Sequence, residues 1–148
     1  MDYGLGNPER IGVARSFVVS LGVAKTDEAL QSLAPTATLR VLGHHSLSGA
    51  FSGRLEVAKH LEMLITQTDG RFDPVKFDDW MLGITHVSVL VEIHAEVGSA
   101  AQRLRHLILM RFGHDDLIED VTVVFLDPEA ADRLYGRFLR DGASRRGT

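Results

Sequence analysis

Four ionisable side chains are candidates for chemistry: His106, Arg40, His45 and Asp120. A neutral imidazole such as that of His106 can act as a general base or a hydrogen-bond partner, and burial lowers its pKa. Arg40 lies within an apolar strand sequence and, if buried, needs an anionic or carbonyl partner. His45 can hydrogen-bond to a substrate carbonyl at the rim of a pocket. Asp120 and Arg40 are the pair that could activate a water molecule for addition to an epoxide.

Each of these side chains also has a purely structural interpretation. His106 can equally be a neutral core histidine that is satisfied by a backbone group. Arg40 can equally be exposed on the outer face of its sheet. Glu119 and Asp120 alternate along one strand, so a bulge in the preceding turn decides which of them faces inward. Exposure to solvent is favoured for both acids.

The stretch from Ile84 to Val97 determines where His106 points. From Val87 to Val97 its odd positions are apolar and most of its even positions are polar, which indicates a β-strand with one buried and one solvated face. If Gly98 and Ser99 form a two-residue hairpin loop, the next strand pairs with this one in a single register. On the apolar face that register pairs Val87 with Met110, Val89 with Ile108, Val91 with His106, and Ile93 with Leu104. On the polar face it pairs His86 with Arg111, Glu92 with Arg105, and His94 with Arg103. His106 therefore faces the side on which helices must pack.

The preceding part of the chain supplies those helices. An Asn-Pro-Glu sequence at 7–9 indicates a capped helix start, and Gly22 indicates its end. Thr26 is expected to cap a shorter second helix. A third helix, capped by Ser52, is expected to bury Leu55, Ala58, Leu61, Leu64 and Ile65. The β-branched and aliphatic residues of 36–42 indicate a strand.

The remaining segments complete an α+β layout in one domain, 1–148. A glycine-punctuated loop is expected at 43–53, and strands separated by turns follow from Phe72 onward. A last helix starts at Asp127. Its apolar residues are Ala131, Leu134, Tyr135 and Phe138. The polar, basic tail 142–148 is expected to fray. Helices come first in the chain and an antiparallel meander follows, which favours helices gathered on one face of a sheet.

Composition excludes several classes of protein. The chain has 148 residues, of which 45% are hydrophobic and 24% charged, so it is neither disordered nor fibrous. It has no cysteine, which rules out disulfides and thiolate chemistry. The net charge of -4 argues against nucleic-acid binding. No apolar run is long enough for a membrane span and no signal peptide is apparent, so a cytoplasmic protein without membrane partners is expected.

Adjacent His44 and His45 lack a third ligand at a recognisable spacing, so no metal site and no cofactor are expected.

The order of elements resembles the SnoaL-like branch of the nuclear transport factor 2-like superfamily, a cone-shaped α+β fold. The segment 43–54 is similar to that family's loop before the third helix, with a Leu-small-Gly, aromatic, x-Gly-Arg pattern. Phe72 after Asp-Gly, and His86 at the start of an aliphatic strand, also fit the family. The sequence 109–112 before a turn and Asp132 in the terminal helix complete the match.

The resemblance implies a curved mixed or antiparallel sheet wrapped around three helices from the N-terminal half of the chain, with an internal cavity. It also implies a homodimer built on the outer sheet face. The acids that family catalysts use are missing, because the aspartate position on the first strand is Val41 and the acidic donor position is Ile108. The acid of the next strand would fall at Thr122 or Val123. His106 lies two residues before Ile108, where the cyclases carry a histidine.

Three hypotheses follow. The favoured one is a cofactor-independent cyclase or isomerase that folds a hydrophobic, polyketide-like intermediate, including by pericyclic ring closure, with hydrogen bonds from His106, Arg40 and His45. The second is a non-catalytic ligand-binding or dimerisation module, in which side chains fill the cavity and His106 bonds to a backbone carbonyl. The third and least favoured is an epoxide-opening hydrolase that uses Asp120 and Arg40. The expected substrate-binding residues are Phe17, Val41, Trp80, Met110 and Phe125.

Overall fold

Helices and strands account for most of residues 6–22 and 25–136, which are the residues that the computed structural model describes. The helices are α1 (Glu9–Gly22), α2 (Thr26–Gln31) and α3 (Arg54–Thr68). The strands are β1 (Leu33–Val41), β2 (Gly49–Ser52), β3 (Phe72–Leu82), β4 (His86–Val97), β5 (Ala100–Phe112) and β6 (Ile118–Phe125). Residues 128–136 are helical. The predicted helical position Phe138 and the predicted frayed tail 142–148 lie outside the described residues.

The six strands form one curved sheet in the order β2-β1-β6-β5-β4-β3. Strands β1 and β6 are parallel and the other neighbours are antiparallel, so the sheet is mixed. The predicted α+β class is therefore confirmed. The loop predicted at 43–53 is wrong in part, because residues 49–52 pair with β1 as the short strand β2. This strand is only four residues long and begins with a glycine, so it is too short for a periodic pattern to be recognised in the sequence.

The predicted register of the β4–β5 hairpin is confirmed. Val97 pairs with Ala100 across a two-residue loop, and Val91 pairs with His106. Gly98 has a φ of 61°, a left-handed conformation that glycine adopts without steric cost. The apolar residues at the odd positions of β4, from Val87 to Val97, are buried and face the helices.

The edge strand β3 is irregular where it pairs with β4. Its register shifts between Pro74 and Lys76 and again between Phe77 and Asp79. Its other long side lies at the edge of the sheet.

The helices differ from prediction mainly at their starts. The backbone N–H of Glu9 donates to the side-chain oxygen of Asn7 at 3.0 Å, so the predicted cap of α1 is present. Helix α2 already includes Thr26, and Gly53 rather than Ser52 precedes α3. The buried stripe of α3 consists of Val57, His60, Leu61, Leu64, Gln67 and Thr68. None of the described helices is long and apolar enough to cross a membrane.

Candidate functional site

An internal cavity lies between the inner face of the sheet, helices α1 and α3, and the helical residues 128–136. Its wall is formed by Phe17, Leu21, Leu39, Val41, Leu47, His60, Leu61, Leu64, Phe72, Ile93, His106, Ile108, Val121, Val123, Phe125 and Tyr135. The centre of a water molecule can move through about 50 Å³ of this space. That is room for a few waters, about a third of the volume of an engineered cavity that binds benzene, and far below the several hundred Å³ typical of a drug-sized ligand.

His106 lies in this wall, on β5. It is 1% exposed, and its Nδ1–H donates to the backbone carbonyl of Leu104 at 2.9 Å. This bond leaves the lone pair on Nε2. Burial lowers the pKa of His106 to about 4 against a small opposing effect of that hydrogen bond, so the ring is neutral at pH 7. A base this weak serves better as a hydrogen-bond acceptor than as a proton abstractor near neutral pH.

His60, on α3, is a cavity residue that the sequence analysis missed. Its Nε2–H donates to the backbone carbonyl of Leu47 at 2.9 Å, and its Nδ1 is buried without a hydrogen-bond partner among the described residues. Burial lowers its pKa, so it is also neutral. Its spacing from Val57, Leu61 and Leu64 is helical, so a correctly phased apolar stripe would have included it.

Tyr135 is the third polar side chain in the wall. It is 1% exposed, and within the described part of the chain its hydroxyl has no partner. Burial raises the pKa of this phenol, which therefore stays protonated. Tyr135 was predicted only as an apolar residue of the last helix, because no local pattern shows what surrounds its hydroxyl.

His45 is buried beside the cavity but is not one of the residues that form the cavity wall. Its Nδ1 accepts the backbone N–H of Leu47 at 3.2 Å. Its ring lies 5.2 Å from that of Phe125 and 5.1 Å from that of Tyr135, measured between centroids. Burial lowers its pKa, and the carboxylate of Asp132 partly opposes this. Gly43 makes room for the ring, because a Cβ there would lie 2.9 Å from it and φ is 133°.

Arg40 and Asp120 do not reach the cavity, and the outward alternative given for both is what the structure shows. They form an ion pair with each other at 2.5 Å, and the Arg40 side chain is 49% exposed. Leu39 and Val41 face inward, so the alternation of β1 turns Arg40 to the outer face. On β6 the inward residues are Val121, Val123 and Phe125, and Glu119 pairs instead with Arg111 at 2.5 Å.

Three of the five predicted substrate-binding residues, Phe17, Val41 and Phe125, lie in the cavity wall. Placing Met110 and Trp80 there was wrong. Met110 faces the core fully buried, opposite Val87 and Val121. Trp80 is on the edge strand β3, where it stacks on Phe77 with ring centroids 5.4 Å apart.

The site combines an apolar space with neutral polar groups. Its described wall holds two imidazoles and one phenol but no carboxylate, ammonium or guanidinium group. No group of three or more potential metal ligands occurs among the described residues. The arrangement can bind a small uncharged molecule and offer it hydrogen bonds.

Comparison with known proteins identifies the fold. No protein-family model and no curated protein matches the sequence. Among solved structures, Bal32a from a soil-derived mobile gene cassette is similar at a TM-score of 0.79 and 16% identity, over 86% of this chain and 96% of that one. An NTF2-like protein from Burkholderia xenovorans has a TM-score of 0.72 and 14% identity, over 89% and 99%. TerC, co-crystallised with polyporic acid, has a TM-score of 0.74 and 13% identity, over 85% and 97%. The chain therefore has the NTF2-like fold, as the resemblance implied.

Proposed function

We propose that this chain binds a small hydrophobic molecule in its internal cavity, as a cytoplasmic module of the SnoaL-like branch. The observation that carries the proposal is an internal cavity whose wall is almost entirely apolar. Apolar cavities of this kind stay dry and take up small apolar guests. Bound polyporic acid in TerC supports ligand binding by this fold. The small volume and the bond from His106 to Leu104 favour binding over catalysis on an extended substrate.

A second candidate is the isomerase or cyclase of the sequence hypothesis, acting without a cofactor on a compact polyketide-derived intermediate. The observation in its favour is that the neutral side chains of His60, His106 and Tyr135 are part of one apolar wall. Such a wall can hold an enol or carbonyl and confine a flexible chain near its reactive shape. Epoxide opening loses its support because Arg40 and Asp120 pair with each other on the outer face.

Toluene tests the binding proposal, since it is a single ring without polar atoms. At ten times its Kd, we expect toluene to raise the melting temperature by about 4 °C. Leu64→Phe, which adds a ring to the cavity wall from α3, is expected to abolish this shift. The matched control is Leu55→Phe on the same helix, where the side chain is 70% exposed. The proposal fails if calorimetry detects no toluene binding to the folded wild type, or if both variants respond alike.

Homodimerisation through the outer sheet face is part of the proposal. Leu90 pairs with Leu107, which in turn pairs with Val124, and these half-buried side chains form an apolar strip across three strands. A second copy would remove this strip from water. We expect a dimer in sedimentation at micromolar concentration, a monomer for Leu107→Lys, and a dimer for the control Leu55→Lys. A monomeric wild type would contradict the prediction.

A further inference from the structure

Residues 43–48, which lie between β1 and β2, contribute to the wall of the cavity. The side chain of Leu47 is part of that wall and is 3% exposed, whereas the nearby side chain of His44 is exposed to solvent. The segment has turns and bends but no helix or strand. It therefore has one side toward the cavity and one toward solvent, and an outward movement of the segment would open the wall at Leu47.

Two imidazoles hold the backbone of Leu47 in place. Its N–H donates to His45 Nδ1 at 3.2 Å, and its carbonyl accepts from His60 Nε2–H at 2.9 Å. The segment is also tied to α3 by the hydroxyl of Ser46, which donates to the side-chain oxygen of Gln67 at 2.9 Å. His45 Nδ1 can accept the Leu47 N–H only while that nitrogen carries no proton, so this bond depends on the protonation of the ring.

The groups around His45 keep its ring neutral while it is buried. Burial lowers its pKa, the carboxylate of Asp132 partly opposes this, and His60 and His44 add to the lowering. The Asp132 carboxylate is already engaged, because it accepts the backbone N–H of His44 at 3.0 Å. The phenol of Tyr135, whose ring centroid is 5.1 Å from that of His45, stays uncharged because burial raises its pKa. A proton on His45 is therefore disfavoured in the buried position and favoured where the ring meets water.

We propose that residues 43–48 are an acid-released plug of the cavity, which moves outward when a proton on His45 Nδ1 breaks the bond to the Leu47 N–H. In the released plug the imidazole is in water, where its ordinary pKa is about 6.5. Because the released state binds the proton more tightly than the closed state, release becomes easier as the pH falls through about 6.5. The inference rests on the proposed ligand-binding function and adds how the cavity opens.

Hydrogen exchange at the Leu47 amide tests this inference without a ligand. The exchange rate is measured by NMR and corrected for the intrinsic chemical rate at each pH. In the wild type we expect the protection of this amide to fall severalfold from pH 7 to pH 5.5, with a limit of about tenfold for one histidine. At low urea concentrations Leu47 is expected to exchange faster than the amides of the central strand β5, because the plug opens without unfolding of the sheet.

Two neighbouring histidines provide a variant and its matched control. His45→Asn places an amide oxygen close to the position of Nδ1 and removes the titrating ring. The acceptor for the Leu47 N–H is kept, so the protection of Leu47 is expected to lose most of its dependence on pH. His44→Asn changes an exposed side chain, and the decline seen in the wild type is expected to persist. Circular dichroism establishes that both variants are folded.

The wild type alone can overturn the plug, whether or not the variant folds. Equal protection of Leu47 at pH 7 and pH 5.5 would do so, as would exchange of Leu47 only together with the β5 amides. An equal decline in His45→Asn and the wild type would overturn the role of His45. Failure of toluene to bind the folded protein would remove the proposed function and leave this opening in place, whereas a plug that stays closed would leave the binding function standing.

Discussion

Phe125→Ala is expected to lower the free energy of unfolding by about 3–5 kcal/mol. The Phe125 ring is 7% exposed and lies between three polar rings. Its centroid is 4.7 Å from that of His106, 5.2 Å from that of His45 and 6.2 Å from that of Tyr135. Truncation removes the apolar contact that these rings share and leaves a larger cavity beside them.

Urea unfolding monitored by circular dichroism measures this loss. The neighbouring residue provides the control, because Leu126 is 45% exposed and Leu126→Ala is expected to change stability by about 0.5 kcal/mol or less. Phe125→Leu is expected to restore much of the stability, since it refills most of the volume. A loss below about 1 kcal/mol for Phe125→Ala would contradict the central packing role assigned to this ring.

Acidification is expected to destabilise the fold through His106. The folded-state pKa of about 4 lies below the ordinary value of 6.5. Between these values the unfolded chain binds more protons than the folded one, so stability falls as the pH falls. From pH 7.5 to 5 this single group accounts for a loss of about 2 kcal/mol. Burial lowers the pKa of His45 and His60 as well, which adds to the loss in the same direction.

The contribution of His106 can be isolated by substitution. His106→Asn keeps an N–H donor for the Leu104 carbonyl and removes the titrating ring, so it is expected to flatten the decline between pH 7.5 and 5 by about 2 kcal/mol. His86→Asn, at an exposed position, leaves the slope as in the wild type. Equal slopes for His106→Asn and the wild type would mean that the imidazole is not desolvated in the folded protein.

The sequence predicted those parts of the fold that local rules determine. The register of β4 and β5 followed because strict alternation and a two-residue loop leave one alignment. That alignment alone placed His106 on the inner face, where the structure has it. The short strand β2 was missed because its residues have little strand character and depend on pairing with β1.

Prediction of the site failed where tertiary packing decides which way a side chain points and what surrounds it. Arg40 and Asp120 were suspected from residue type, although alternation with Leu39 and Val41 already allowed the outward orientation that the structure shows. His60 was missed because the apolar stripe of α3 was assigned the wrong phase. The orphaned hydroxyl of Tyr135 depends on neighbours distant in sequence, and no local pattern encodes its surroundings. Cavity volume likewise depends on how closely side chains of several elements fit.

The irregular edge strand β3 bears on how the protein behaves when concentrated. A straight, unpaired strand offers a row of backbone groups onto which a foreign strand can add, which is the first step of fibril growth. Pro74 contributes no N–H to such a row, and the two register shifts of β3 bend the strand away from the regular spacing that a template needs. The charged side chains of Lys76 and Asp78 further discourage an incoming strand. These features disfavour the addition of a foreign strand at the long edge that β3 forms in the described sheet.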